Sequence, residues 1–90
     1  MLFAVMTKDK AGHLETRMNN RALHLEYIEQ TGVVAMAGPV LDTNEQMCGS
    51  LIILDVEDMA AAQAWADSDP YALAGLFESV SIQAWKKVIG

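Results

Sequence analysis

The chain has 90 residues, 52% of them apolar and 20% charged, which fits one small globular domain and excludes a disordered or low-complexity chain. Lys and Arg total 6 against 12 Asp and Glu, a net charge of −6. The basic footprint that nucleic acid or an anionic membrane requires is therefore missing, and neither is expected as a partner.

Leu2 to Met6 is a brief apolar run carrying Phe and Val, and it reads as a buried strand. Lys8-Asp9-Lys10-Ala11-Gly12 ends it. The run is too short for a signal h-region or a membrane span. From His13 to Gln30 the period lengthens: Leu14, Met18, Ala22, Leu25 and Ile28 form a stripe along an amphipathic helix. Gly32 suits the left-handed position past its end. Val33–Ala37 is the next strand. It extends to Val40 as one arm of a hairpin whose other arm is Ser50–Val56. Glu57 and Asp58 open a second helix, and Ala-rich Met59–Ala66 continues it with Ala61, Ala62 and Trp65 toward the sheet. Asp69-Pro70 breaks that helix, Tyr71–Gly75 adds a helical turn, and Glu78–Val88 reads as the last strand.

The order strand, helix, strand, strand, helix, strand predicts an α+β ferredoxin-like domain over residues 1–90. Its four-stranded antiparallel sheet carries both helices on one face. The other face has no cover within the chain, which predicts a face-to-face homodimer. Cys48 is the lone cysteine, so no intramolecular disulfide can form, and a cytoplasmic location is expected by default.

On the first helix Arg17, Arg21 and His24 recur at spacings of four and three, beside the apolar stripe. They could hold a small anion, with His24 as acid or base, or they could be a solvated edge whose arginine stems cover apolar surface. Asp69 is the carboxylate available to orient His24, and it is equally an ordinary turn former before Pro70. Gly38, Pro39, Gly49 and Ser50 face each other across the hairpin, where glycines admit a ligand to the backbone and Ser50 adds a hydroxyl. Turn and bulge geometry explains the glycines as well. Tyr71 could line a cleft or simply fill the core. His13 reads as a surface residue and Cys48 as inert. No metal-ligand spacing or nucleotide fingerprint occurs, so no metal and no cofactor are expected.

Arg17-x3-Arg21-x2-His24-Leu25, Ala37-Gly38-Pro39, Gly49-Ser50, Ala61-x3-Trp65-Ala66-x2-Asp69-Pro70-Tyr71 and Val80-x4-Trp85-Lys86-Lys87 together resemble the YciI-like (YCII-related) family. The resemblance spans Met1 to Val88. It implies a ferredoxin-like fold, dimers of the α/β-barrel type and a His-Asp pair in a cleft, matching His24 and Asp69. It also implies an enzymatic role, dehydrochlorination being linked to one member. A His-Asp pair supports proton abstraction more readily than acyl transfer, because no serine or cysteine is placed as a nucleophile. The expectation is a cofactor-independent lyase, isomerase or dehydrochlorinase with catalytic His24 and Asp69. Arg17 would hold a small anionic metabolite, and Arg21 would be a second contact or a structural pair. The alternative is a dimer that binds such a metabolite, or serves as an interaction module, without turnover.

Overall fold

Alternation sets the sheet. In a computed structural model describing residues 1–90, strand β1 (Leu2–Asp9) buries Phe3, Val5, Thr7 and Asp9 and turns Met6 and Lys8 outward. Helix α1 spans Leu14–Thr31, β2 Val34–Leu41, β3 Met47–Asp55, α2 Met59–Asp67, α3 Pro70–Leu73 and β4 Phe77–Trp85. The strands form one antiparallel sheet in the order β2-β3-β1-β4, so the ferredoxin-like order of elements is present. The register pairs Phe3 with Leu54, Val5 with Ile52 and Thr7 with Ser50 on the helix-covered face.

Local chemistry fixes the helix ends. Gly32 closes α1 at φ 65°, and its N–H reaches the Ile28 carbonyl. The Asp58 carboxylate caps α2 by accepting from the Ala61 N–H at 2.8 Å. Asp69 precedes a proline and is accordingly extended (φ −60°, ψ 129°), and its side chain caps α3.

Several expectations change: the last strand ends at Trp85 and not Val88, and β3 begins at Met47 and not Ser50. The sequence ends the first strand at Met6, whereas β1 runs on to Asp9. Thr7 and Lys8 are paired on both sides and Asp9 on the β4 side alone, and Thr7 and Asp9 point inward. The predicted stripe on α1 is also not the buried face: Leu14, Met18 and Leu25 are exposed, and the buried residues are Arg17 and His24. The helix is rotated by roughly 100° from the apolar reading, about one residue step. Partners on the sheet and on α3 make burying the polar side worthwhile.

The helix-facing side of the sheet therefore has two halves. Phe3, Val5, Ile52 and Leu54 pack against Ala62, Trp65 and Ala66 of α2, with Tyr27 and Ile28 of α1 at the margin. Thr7, Asp9 and Ser50 continue the same face under the first half of α1, and there it becomes polar. Tyr27 and Trp65 tie the halves together: the Tyr27 hydroxyl donates to the Trp65 carbonyl at 2.8 Å, and the Trp65 indole donates to Thr31 Oγ1 at 2.9 Å. The opposite face of the sheet exposes Met6, Met36, Leu51 and Trp85.

Candidate active site

Asp69 is 1% exposed and His24 6%, and His24 Nδ1 lies 2.8 Å from Asp69 Oδ1. The same oxygen accepts the Tyr71 N–H at 3.0 Å. The two readings of Asp69, turn former and histidine partner, are thus one arrangement. Because a carboxylate only accepts, this geometry places a proton on Nδ1 of His24 and leaves Nε2 for the cleft. The Tyr71 ring stacks on the imidazole with centroids 4.0 Å apart and 14° between planes, and Phe77 meets Tyr71 edge-on. Three contacts therefore hold the imidazole orientation: Asp69, Tyr71 and the helix that carries it.

Arg17 is 2% exposed, and its charge is already matched. Nε donates to Asp9 Oδ2 at 2.7 Å, Nη2 donates to Asp9 Oδ1 at 3.0 Å and also to Ser50 Oγ at 2.9 Å. Its guanidinium carbon lies 4.6 Å from the Tyr71 ring centroid, within cation–π range. Burial opposes the Arg17 charge, but the hydrogen bonds and charge of Asp9 outweigh it and hold the guanidinium above its ordinary pKa. Burial raises the Tyr71 phenol. The positive charges of Arg17 and Arg21 offset part of that rise, and the hydroxyl stays protonated at neutral pH.

These residues border a cleft of about 130 Å³ between α1 and the β2–β3 edge. Arg21, Leu25 and Ile28 form the helix wall, and Ala37, Gly38 and Pro39 form the opposite one. Ser50, Tyr71, Arg17 and His24 supply the polar part of the lining, and Met47 and Ile52 complete it. Pro39 sits on an edge strand, where its missing N–H costs no ladder bond. Arg21 is exposed at the rim and takes part in no ion pair. The structural pairing expected of Arg21 thus falls to Arg17, and the free cation is Arg21.

Gly49 does not line the cleft. A Cβ built there would stand 2.3 Å from the Thr7 carbonyl oxygen. Its absence of a side chain serves the close pairing of β3 with β1, not ligand access. Gly49→Ala is expected to lower unfolding free energy by about 1–3 kcal/mol through overpacking, read by urea denaturation; a wild-type midpoint would contradict this. Asp9 is the residue that the sequence reading left out of the site. Its signal is the period-two series Phe3, Val5, Thr7, Asp9, which carries the strand's inward face into the polar segment. His13 Nδ1 contacts the Ala11 carbonyl at 2.9 Å, away from the cleft. Cys48 is half-buried, its sulfur 3.5 Å from the Val40 carbonyl. No three His, Cys, Asp or Glu side chains converge as metal ligands would.

The family model for the YCII-related domain matches residues 1–86. The chain belongs to the YCII-related family. Among curated members, Protein YciI of Escherichia coli O6:H1 is 40% identical, over 98% of this chain and 99% of that one. An uncharacterized protein of Haemophilus influenzae is 32% identical over the same shares. Among solved structures, a YCII-like neighbour is 5-chloro-2-hydroxyhydroquinone dehydrochlorinase (TftG) from Burkholderia phenoliruptrix, in complex with 2,5-dihydroxybenzoquinone. It superposes with a TM-score of 0.89 at 33% identity, covering 96% of this chain and 94% of that one. An antibiotic biosynthesis monooxygenase, at 11% identity and a TM-score of 0.61, shares the fold alone. This YCII-related chain has no helix long and apolar enough to cross a membrane.

Proposed function

We propose that this chain is a small acid/base enzyme in which His24 moves a proton of an anionic substrate and Asp69 holds its ring. The observation that carries this reading is the buried 2.8 Å contact between His24 Nδ1 and Asp69, at a cleft that His24 itself lines. Asp69 keeps the Nδ1 proton in place, so the Nε2 lone pair acts as general base. The carboxylate also stabilises the imidazolium that forms. Arg21 supplies the charge for the substrate anion, since Arg17 is committed to Asp9. Gly38, Pro39, Ser50 and Tyr71 shape the remaining surface.

The cleft volume of about 130 Å³ is close to the ~150 Å³ of a cavity that accepts one benzene ring. A single-ring or similarly small oxyanion fits, and the related dehydrochlorinase supports proton removal followed by loss of a leaving group such as chloride. The protein acts as a homodimer, with the exposed Met6, Met36, Leu51 and Trp85 face covered by a second copy. Its place is the cytoplasm, where a lone thiol stays reduced.

The test is chloride release from 5-chloro-2-hydroxyhydroquinone and related halogenated hydroquinones. His24→Ala is expected to lower kcat/KM by about 10²–10⁴-fold, the usual contribution of general acid–base catalysis. A variant as fast as wild type would remove His24 from the mechanism. Saturable binding with no turnover by wild type would instead make the cleft a metabolite sensor.

A further inference from the structure

We infer that Ser50 donates a hydrogen bond to a substrate oxygen, and that the buried Asp9–Arg17 pair positions it to do so. The inference rests on the acid/base reading of the cleft. It adds the group that meets the oxygen on which charge develops.

A serine hydroxyl has one proton and two lone pairs. Arg17 Nη2 donates to Ser50 Oγ at 2.9 Å. A guanidinium has nothing with which to accept, so the Ser50 proton must go elsewhere. Ser50 Oγ has no other hydrogen-bond partner in the protein: Asp9 accepts from Arg17, at 2.7 and 3.0 Å, and Asp69 from His24 and Tyr71. Ser50 is only 3% exposed, and it lines the cleft together with His24 and Tyr71. Its hydroxyl proton is thus left for whatever occupies the cleft.

The consequence is a division of the lining by hydrogen-bond type. Ser50 and Arg21 donate, and Nε2 of His24 is the acceptor that takes the proton. The substrate class that fits is an enolisable or quinonoid oxyanion with two acceptor oxygens near an acidic proton. As that proton moves to His24, negative charge grows on the oxygen facing Ser50, and the fixed donor then binds more strongly. Asp9 and Arg17 act through Ser50, as positioning residues.

Two measurements test this. In a neutron structure of the ligand-free protein, the Ser50 deuteron is expected to point into the cleft. A deuteron aimed at Asp9 or at a main-chain carbonyl overturns the assignment. In solution, 2,5-dihydroxybenzoquinone is titrated by absorbance. Ser50→Ala is expected to weaken it about tenfold, the size of a hydrogen bond to a charged group. Ser50→Thr, which keeps the hydroxyl, should lose far less. In an Asp9→Leu/Arg17→Met background the Ser50→Ala penalty should fall below about twofold, because the hydroxyl is no longer held. An undiminished penalty there removes the positioning role, and equal affinity of wild type and Ser50→Ala removes the donor. If wild type ignores the quinone, the single-ring oxyanion reading fails, and the neutron result alone decides Ser50.

Discussion

Replacing Asp9 by alanine is expected to lower unfolding free energy by about 3 kcal/mol, because it strands a buried guanidinium without its counter-charge. Arg17 is 2% exposed and receives two of its three side-chain hydrogen-bond partners from Asp9 oxygens. Breaking a buried pair on one side typically costs about 3–5 kcal/mol. The lower end applies here, since the neighbouring cleft brings water near the charge and screens it. A domain stable by roughly 5–15 kcal/mol would feel this strongly. Urea denaturation at neutral pH checks it, and a loss under about 1 kcal/mol would show that the guanidinium hydrates freely through the cleft. Asp9→Leu/Arg17→Met, which removes both charges, should recover most of the loss.

Asp69→Asn removes the charge of Asp69 and keeps its shape. The asparagine oxygen can still accept the Tyr71 N–H, so α3 keeps its cap and the fold should survive with a loss of about 1 kcal/mol or less. That same oxygen still accepts the His24 Nδ1–H, so the tautomer is kept, but a neutral amide no longer stabilises the imidazolium that forms during turnover. Turnover is expected to fall by about 10²–10⁴-fold, no further than with loss of His24 itself. The ¹⁵N shifts of the His24 ring should report a proton on Nδ1 in wild type and variant alike. A variant that turns over at the wild-type rate would show that the charge of Asp69 is not used.

The fold was legible because its elements alternate in the two simple periods, and Gly32, Asp58 and Asp69-Pro70 mark boundaries with local chemistry. The polar half of the interior was harder to read. Thr7 and Asp9 look like the end of a strand because they are hydrophilic, yet they are buried. Asp9 is stable there because Arg17 arrives from another element, a contact with no local signature. The same reason rotates α1: Leu14, Met18 and Leu25 define the apolar stripe, but the aspartates reward burial of Arg17 and His24. Which of two arginines would be free was likewise set by Asp9 and not by helix spacing. Gly49 belongs with the glycines of the hairpin in sequence and apart from them in space, because its constraint is the Thr7 carbonyl on a strand distant in sequence.

One oxygen of Asp69 receives both the imidazole and the first N–H of the turn that follows. Anyone grafting this histidine–carboxylate pair onto another scaffold would therefore have to carry the Asp-Pro-Tyr turn with it. Transplanted alone, the aspartate would have no amide to fix its angle, and the histidine would lose the ring it stacks on. The smallest portable unit is a helix bearing His24 together with residues 69–71, two pieces of chain that meet across 45 residues of sequence.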